Sequence, residues 1–286
     1  MLRLAVPTKA ETFDRMRDPL AQRGIEVGHV RTDQRTLPLD GTGFADYDVG
    51  FVFPARLPEG GVTDALLDVP WVNDREAILR SRHKGETLAR LGTSGLPTLE
   101  SVVVSNSVTE SALRDVFDQF EPPVVVKPNS TTRGIGIAKA HDLDSFLGIC
   151  DYLDLVHDYR ATGDQSFLVQ SFLPKARDYR AMVVDGEYVG AVERRLPESA
   201  LASGQWKHNV HRGAEATGVS LDPALRALAE RAASALDIDY LGVDLLVTDE
   251  AAVVNETNAR PTIDSATKYE PDFWDQLADL IRTTGE

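Results

Sequence analysis

The sequence predicts an α/β protein that begins with a parallel sheet and is of α+β type in its C-terminal part. Over residues 1 to about 70, short apolar runs alternate with helical stretches, and this alternation favours a parallel sheet covered by helices. In the C-terminal part, strand-like runs instead follow one another and end in a hairpin. At 286 residues the chain can bury a full core, and we expect two or three lobes.

The N-terminal unit is predicted to contain three strands and one helix. These elements are strand Leu2–Val6, helix Ala10–Arg23, strand Ile25–Val30 and strand Tyr47–Phe53. Gly24 ends the helix, and the stretch that contains Pro54, Pro58, Gly60 and Gly61 predicts a loop. No glycine-rich turn follows the first strand, so a dinucleotide site in this unit would lack its usual fingerprint.

Apolar periodicity and turn signals predict the remaining elements. The predicted helices are Asp74–Leu91, Glu110–Phe120, 142–159, Ala224–Leu236 and Asp272–Thr283. The predicted strands are Leu99–Val104, Pro123–Lys127, Ile135–Ala140, Phe167–Phe172, Tyr179–Val184, Tyr188–Arg194 and a hairpin of Leu241–Thr248 with Ala252–Asn255. For example, Asp222 and Pro223 mark the start of the helix Ala224–Leu236, because an aspartate cap followed by a proline is typical of the first turn of a helix.

Composition narrows the class of protein. The formal charge of −15 and the pI near 4.8 argue against nucleic acid or an anionic membrane as a partner. Cys150 is the only cysteine, so no internal disulfide can form, and its apolar helical surroundings predict a core position rather than a nucleophile. We find no signal-peptide pattern and no apolar run near the ~20 residues of a membrane span. The sequence therefore predicts a cytoplasmic protein, and whether its acidity reflects a halophilic source stays open.

Three oxygen-bearing side chains near the C-terminus are candidates for a metal site. If the hairpin loop is Asp249–Ala251, Asp244 lies directly opposite Glu256, and Asn258 shares the same face. Two carboxylates and an amide on otherwise apolar strands are costly unless a cation neutralises them. Oxygen ligands suit a hard ion such as Mg²⁺. The alternative is a hairpin whose ends carry solvated acids, and a two-residue loop would break the alignment.

A second candidate is the segment VVVKPNSTTRGIGIAKA. It places Lys127 at the end of a buried strand, before a hydroxyl-rich loop that ends with Gly134 and Gly136. Glycine and small residues let backbone N–H groups approach phosphate oxygens, although the order of residues is not that of a Walker A loop. The segment could be an ordinary hairpin turn or a flap over a nucleotide. Lys127 favours the flap, because a lysine that closes an apolar valine run needs an anionic partner.

Several other charged residues have a simple structural interpretation when each is taken alone. Lys84 lies on a predicted helix, where a lysine is usually solvated. Asp178 with Arg180, and Glu193 with Arg194, lie at strand positions where charges normally form ion pairs.

Taken in order, these residues resemble the motifs of the ATP-grasp superfamily, and most closely those of the RimK-like α-L-glutamate ligase family, from about Trp71 to Ile281. The matching residues are Asn73 and Lys84, Lys127 with Gly134 and Gly136, Val169 and Gln170, Asp178 and Arg180, Arg194, the run Asn209–Gly213, Asp244, and Glu256 with Asn258. The resemblance implies an ATP-grasp fold with an N-terminal pre-ATP-grasp α/β domain at 1–72 and an ATP-grasp domain at 73–286. Within the second, it implies a lid-bearing subdomain at about 93–165 and a metal- and nucleotide-binding subdomain at 166–286.

The resemblance also implies a role for each matching residue. The ATP-binding residues would be Lys84, Lys127, Gly134, Gly136, Gln170, Ser171, Phe172, Asp178, Lys207, His208 and Asn209. Lys84 and Lys127 would contact the α- and β-phosphates, and Gln170 to Phe172 would present backbone groups to adenine. One or two Mg²⁺ ions would be held by Asp244, Glu256 and Asn258, with Mn²⁺ as an open alternative. The catalytic residues would be Lys127 and Arg194, the latter beside an acyl phosphate or a substrate carboxylate.

This chain departs from the family pattern at three places. Thr131 stands where the flap usually has its first glycine, and Lys207-His208 replaces an Arg-Ser pair. The connection from the adenine hinge to Asp178 is also short and lacks a glycine. The departures at Thr131 and at Lys207-His208 bear on the substrate more than on ATP binding.

The resemblance implies an ADP-forming, Mg²⁺-dependent carboxylate–amine ligase that acts through an acyl phosphate. We expect it to add glutamate or a similar amino acid to a small molecule or to a protein C-terminus. A kinase that phosphorylates a hydroxyl, or a nucleotide-binding module without turnover, are the alternatives. Acceptor choice is expected to depend on the N-terminal lobe and on the Arg195–Gln205 loop, and a homo-oligomer stays open.

Overall fold

The structure is a computed structural model that describes residues 1–8, 10–33, 35–42, 44–106, 108–131, 135–157, 164–208, 210, 213–263 and 268–286. Its strands form three sheets. None of the helices within these ranges combines the length and the apolar character needed to cross a membrane.

The N-terminal sheet has the order β2-β1-β3-β4, and all of its pairings are parallel, as predicted. Its elements are β1 (Leu2–Val6), α1 (Ala10–Ala21), β2 (Ile25–His29), β3 (Val49–Val52), α2 (Leu57–Leu67) and β4 (Trp71–Asn73). Helix α2 occupies residues that we predicted as loop, and β4 was not predicted. Pro58 is tolerated because it lies in the first turn of α2. Gly60 suits the packing, since a Cβ there would come within 2.7 Å of the Phe53 ring.

The predicted single helix Asp74–Leu91 is wrong, because the structure has α3 (Arg75–Arg82) and α4 (Lys84–Thr93) in its place. His83 breaks the helix with an extended backbone, at φ −82° and ψ 96°. Asn129 satisfies the new helix end: its carbonyl accepts from Lys84 N at 3.1 Å, and its Oδ1 accepts from Gly85 N at 2.9 Å. The apolar pattern continues across the break, so periodicity alone did not reveal it.

An antiparallel sheet of order β5-β8-β6-β7 follows, with two helices and an apolar core of its own. Its elements are β5 (Ser101–Ser105), α5 (Glu110–Phe117), β6 (Val124–Pro128), β7 (Ala138–Ala140), α6 (Leu143–His157) and β8 (Ser166–Ser171). Cys150 is buried in this core, as predicted, and burial raises the pKa of its thiol to about 12. A thiol of this kind is a poor nucleophile at neutral pH.

The third sheet is antiparallel and has the order β11-β10-β9-β12-β13. Its elements are β9 (Arg177–Val184), β10 (Glu187–Arg195), α7 (Glu198–Ala202), β11 (Glu215–Val219), α8 (Pro223–Leu236), β12 (Tyr240–Val247), β13 (Ala252–Asn258) and α9 (Phe273–Thr284). The short elements α7 and β11 were not predicted, and α7 lies within the stretch Arg195–Gln205 that we interpreted as loop.

The N-terminal sheet and the third sheet share one continuous apolar core. The rings of Phe51 and Tyr240, from the two sheets, pack with centroids 5.0 Å apart. Asn73 ties the same region together, because its Nδ2 donates to Tyr240 O at 2.6 Å and to Ala259 O at 2.7 Å. The domain boundaries at 72/73, 93 and 165/166 stay predictions, and extensive packing crosses the first of them.

Candidate active site

The hairpin of β12 and β13 places Asp244 directly opposite Glu256. Its turn is Thr248–Ala251, closed by a hydrogen bond from Thr248 N to Ala251 O at 2.8 Å, so the predicted loop Asp249–Ala251 is wrong. A bulge at Asn255 shifts the register by one residue and restores the predicted pairing. The pairing of Asp244 with Glu256 is therefore confirmed, although through a different turn.

Asn258 lies on the same face as Glu256. Thr257, between them, is buried on the opposite face, where its hydroxyl lies 3.1 Å from the hydroxyl of Ser81. Asp244, Glu256 and Asn258 therefore present their oxygens to one side of the sheet, as the sequence predicted.

Two arginines neutralise Asp244 in this structure. Arg180 lies opposite it on β9 and donates from Nε to Oδ1 at 2.6 Å and from Nη2 to Oδ2 at 2.8 Å. Arg194 reaches the same carboxylate, with Nη2 at 3.0 Å from Oδ2. Burial favours the neutral acid, but the two guanidinium groups outweigh it and lower the pKa of Asp244 to about 2. Asp244 is therefore ionised at neutral pH and lies between the charged guanidinium groups of Arg180 and Arg194.

Asp178 shares Arg194 with Asp244. Arg194 donates from Nε to Asp178 Oδ1 at 2.7 Å. Burial raises the pKa of Asp178 to about 6, because one shared arginine compensates it only in part and the charge of Asp244 adds to the cost of ionisation.

The charges at the strand ends do pair, but with partners other than those we predicted. Asp178 binds Arg194 rather than Arg180, and Arg180 binds Asp244. Glu193 binds Arg195 at 2.7 Å rather than Arg194. Glu193 and Arg194 are neighbours along β10 and point to opposite faces, so Glu193 pairs instead with Arg195, two residues away on the same strand. Asp178 and Arg180 each bind the residue directly opposite on an adjacent strand, Arg194 and Asp244 respectively.

Two lysines approach the same row of side chains from the helices and from the second sheet. Lys84, the first residue of α4, donates to Thr131 O and lies 3.4 Å from Glu256 Oε1. Lys127, on β6, is only 3% exposed. Within the described ranges, its ammonium has neither a hydrogen bond nor an ion pair. Burial lowers the pKa of Lys127 to about 8, against the opposing influence of Glu256.

Among the described residues of this site, basic side chains outnumber carboxylates. The basic side chains are those of Lys84, Lys127, Arg180 and Arg194, and the carboxylates are those of Asp178, Asp244 and Glu256. A buried ammonium without a partner is costly, so the arrangement suits an added polyanion more than an added cation alone.

The predicted adenine hinge lies at the end of β8. Gln170 is buried, and its Nε2 donates to Ser101 Oγ at 2.9 Å. Ser171 N donates to Glu100 O at 3.0 Å, so this N–H already has a partner. The ring of Phe172 makes an edge-to-face contact with Trp206, with centroids 5.7 Å apart. The end of β8 therefore combines backbone groups with an aromatic pair.

Sequence reasoning missed two residues that contact Phe172. Trp206 is one, and Lys139 is the other, with its Nζ 4.6 Å from the ring centroid of Phe172 and 5.4 Å from that of Trp206. Trp206 comes directly before Lys207, which the resemblance assigned to ATP binding, and this position could have drawn attention to it. No sequence signal marked Lys139, because its contact depends on the way two separate elements meet.

The loop after α7 ties the flap to the third sheet. Lys207 donates to Ile137 O, and His208 Nδ1 lies 2.9 Å from Arg194 O. Gly136, in the flap, has a φ of +77°, and a Cβ there would come within 2.8 Å of Pro128. Gly134 and Asn209, which the sequence assigned to the same site, lie outside the described residues.

A model of the RimK-like ATP-grasp domain matches residues 81–281. The chain belongs to this family. The predicted ATP-grasp resemblance is confirmed by that match, which covers the hairpin, both lysines and the arginine pair described above.

Curated relatives of this RimK-like ATP-grasp protein agree with the match. The chain is 31% identical over 199 residues to a probable alpha-L-glutamate ligase of Citrobacter koseri, covering 69% of this chain and 62% of the relative. It is 30% identical over 199 residues, with the same coverage, to the ribosomal protein bS6–L-glutamate ligase of Escherichia coli. The chain thus spans 62% of the length of the curated relatives it matches.

Solved structures show the same fold. A RimK-domain ATP-grasp protein of Sphaerobacter thermophilus superposes with a TM-score of 0.69 at 22% identity, covering 98% of this chain and 99% of that one. D-cycloserine synthetase gives 0.75 at 15% identity, covering 99% and 100%. The D-alanine–D-alanine ligase of Bacillus anthracis gives 0.68 at 17% identity, covering 100% and 97%. The predicted ATP-grasp fold is confirmed.

The RimK-like domain has oxygen donors that fit a hard divalent cation. Asp244 and Glu256 supply carboxylates, and Asn258 supplies an amide oxygen that also accepts from Arg260 N at 2.9 Å. In the part of the chain that the structure describes, no three His, Cys, Asp or Glu side chains cluster as metal ligands. The set of two carboxylates and one amide suits Mg²⁺ or Mn²⁺, which keep waters and take further oxygens from a phosphate, better than it suits zinc.

Proposed function

We propose that this protein is an ATP-dependent, ADP-forming carboxylate–amine ligase that acts through an acyl-phosphate intermediate. One observation supports this above the others: Lys127 is buried without a partner among the described residues, beside Lys84, Glu256 and Asp244. A triphosphate bound here would neutralise both lysines, and a divalent cation would join it to the carboxylates.

In this proposal, Lys84 and Lys127 contact the α- and β-phosphates. Because Lys127 is already desolvated, it keeps little water that would compete with a phosphate oxygen. The flap, with Gly136 and Gly134, would lie over the phosphates and present backbone N–H groups to them.

The adenine would lie against the hinge. Gln170, Ser171 and Phe172 provide its edge, with the Phe172 and Trp206 rings as an aromatic surface for stacking. We further assign Asp178, Lys207, His208 and Asn209 to the nucleotide site, near the ribose and phosphates. The link from Lys207 to Ile137 O supports this assignment, because it draws their loop towards the flap.

Asp244, Glu256 and Asn258 would hold one or two Mg²⁺ ions, with Mn²⁺ as a substitute. Such an ion, when bound, neutralises charge on the phosphoryl group as it is transferred. The chain's own contribution is to keep Asp244 ionised, as its lowered pKa supports, and to align the donors on one hairpin.

Arg194 would act on the reacting group. Its guanidinium lies between Asp178 and Asp244 and is held in place by both. A cation fixed in this way can stabilise the charge of an acyl phosphate without rearranging. A substrate carboxylate attacks the γ-phosphate and releases ADP, and an amine then displaces phosphate to form the amide.

We propose glutamate or a similar amino acid as one substrate, and a small molecule or a protein C-terminus as the other. The names of the relatives support this choice, since one is a ligase of L-glutamate to ribosomal protein bS6. Fold neighbours include the ATP-grasp ligase PsnB, solved both with a precursor peptide and AMPPNP and with a minimal precursor variant, Mg and ADP. The cytoplasmic location and the oligomeric state stay predictions from the sequence.

A screen for phosphate release tests the proposal. The purified protein is incubated with ATP, Mg²⁺ and pairs drawn from acidic amino acids, amines and short peptides. We expect phosphate and an amide product to form only when both substrates are present. Asp244→Ala and Lys127→Met serve as inactive references, and Asp249→Asn in the exposed hairpin turn is the matched control. A phosphorylated hydroxyl product formed without an amine would indicate a kinase instead, and nucleotide binding without any turnover would overturn the ligase.

A further inference from the structure

Two arginines meet at the edge of this site, on the side of the N-terminal sheet. Arg260 donates from Nη1 to Phe53 O, and Arg82 donates from Nη2 to Ala55 O at 3.0 Å. Both side chains are half-buried. In the described ranges, neither guanidinium lies within ion-pair distance of a carboxylate. The pair therefore contacts neutral carbonyl groups of one short loop.

This arrangement is unusual for the chain. The whole chain contains 45 acidic residues and only 30 lysines and arginines, so acidic partners for arginine are plentiful. Nearby arginines do have acidic partners: Arg180 and Arg194 hold Asp244, and Arg56 lies 3.4 Å from Glu59. Like charges that face each other in a partly buried place oppose folding. An arginine pair without an acidic partner in the described part of the chain suggests that an anion supplied from outside completes it.

The pair lies where a ligand would be expected. The loop Phe53–Ala55 follows β3 at the carboxyl end of the parallel sheet, which is the end at which open α/β sheets bind ligands. Arg260 is also joined to the metal-type donors, because its backbone N–H donates to Asn258 Oδ1 at 2.9 Å. Lys84, one of the two lysines proposed to bind phosphate, points elsewhere, towards Glu256 and Thr131. The arginine pair is thus next to the proposed phosphate site and separate from it.

We propose that Arg82 and Arg260 together bind a carboxylate of a substrate, and that this carboxylate is not the one that reacts. The proposal rests on the ligase function above. The reacting carboxylate must reach the transferred phosphoryl group beside Asp244 and Glu256, whereas the pair lies beyond Asn258. Guanidinium groups match the planar carboxylate with two parallel hydrogen bonds. The substrate held here is therefore an acidic amino acid, or a peptide that carries such a group.

Thermal unfolding with matched ligands tests the binding site without relying on turnover. The probes are L-glutamate and L-aspartate, each compared with its neutral amide, L-glutamine or L-asparagine, in the presence of ADP and Mg²⁺. We expect at least one acid to raise the midpoint of the wild type more than its amide does. Arg82→Gln and Arg260→Gln should abolish that difference, and Arg260→Lys should restore part of it. Arg56→Gln, on the same loop but paired with Glu59, is the matched control and should keep the difference.

Steady-state kinetics then shows which substrate carries the carboxylate. In Arg260→Gln we expect the KM for that substrate to rise about 10- to 100-fold, as for loss of a hydrogen-bonded charge, with a much smaller change in the KM for ATP. If the KM of the amine substrate rises, the carboxylate belongs to the amine. If the KM of the acyl donor rises, it belongs to the donor. A purely structural role of the arginines would weaken acid and amide binding alike.

Failure of this inference and failure of the ligase proposal give different results. Amine-dependent phosphate release with an unchanged KM in both Gln variants would reject the arginine site and leave the ligase intact. Preference for the acid without any amine-dependent phosphate release would leave an anion site but reject the ligase. If neither acid stabilises the wild type more than its amide, the arginine site is wrong.

Discussion

Arg194 donates to Asp178 and contacts Asp244 at the same time, so one buried guanidinium serves two carboxylates. Asp244 has Arg180 as a second arginine partner and stays ionised. Among the described residues, Asp178 has only the shared Arg194 as an arginine partner, with a smaller favourable contribution from His208. This unequal sharing explains why the pKa of Asp244 is lowered to about 2 while that of Asp178 is raised to about 6.

The raised pKa of Asp178 predicts a distinctive pH dependence of stability. Between the usual value of 3.8 and about 6, the folded state binds more protons than the unfolded state. The contribution of Asp178 is therefore present at low pH and lost as the pH rises through this window. We expect the free energy of unfolding of Asp178→Asn to fall less steeply across the window than that of the wild type, in urea titrations with a metal chelator. Asp249→Asn, in an exposed turn, is the matched control, and an identical slope in Asp178→Asn would contradict the prediction.

Replacing Lys127 should separate stability from activity. Lys127→Met removes a buried charge that has no partner among the described residues, so the free energy of unfolding without nucleotide should stay equal or increase. Phosphate release should fall about 10²- to 10³-fold, as for loss of one charge partner of the transferred group. Urea denaturation and the phosphate assay measure the two effects. Lys175→Met, at an exposed turn, should change neither, and a marked loss of stability in Lys127→Met would show that its charge is already compensated.

Glu256 offers the clearest test of the metal site. Its side chain is 30% exposed and, among the residues that the structure describes, has Lys84 as its one ion-pair partner, so Glu256→Gln should keep the fold. Loss of one carboxylate should raise the Mg²⁺ concentration needed for half-maximal phosphate release about 10- to 100-fold. Chelation should abolish turnover in the wild type, and added Mg²⁺ or Mn²⁺ should restore it. Glu250→Gln, in the hairpin turn, is the matched control. An unchanged Mg²⁺ requirement in Glu256→Gln would remove this residue from the metal site.

Trp206 predicts a specific effect on nucleotide binding. Trp206→Ala removes the ring that packs edge-to-face against Phe172 and lies in cation–π contact with Lys139. Stacking of a base on an aromatic ring contributes about 1–3 kcal/mol, so the KM for ATP should rise about 5- to 100-fold. Trp206→Phe should recover most of the loss because it restores an aromatic surface. An unchanged KM in Trp206→Ala, or an equal loss in both variants, would place the base elsewhere.

Local sequence patterns predicted most of the elements and the central hairpin of the site. Alternation of strands and helices predicted the parallel N-terminal sheet, and the spacing of Asp244 and Glu256 predicted their pairing. The predicted pairing is correct although the predicted turn is wrong, because the bulge at Asn255 shifts the register by one residue. No pattern of side chains in the sequence marks this bulge. The prolines and glycines of α2 misled us, since the same residues are common in loops.

The sequence by itself determined the fold class, the family and the residues that supply charge, because these depend on periodicity and on the order of motifs along the chain. Only the tertiary structure decided how the charges are shared: Arg180 pairs with Asp244, and Arg82 meets Arg260 on one loop. It also decided the helix break at His83, which Asn129 stabilises from a distant strand end. Such contacts join residues far apart in the chain, and they form because a polar group that is buried is stabilised by a partner in the same region.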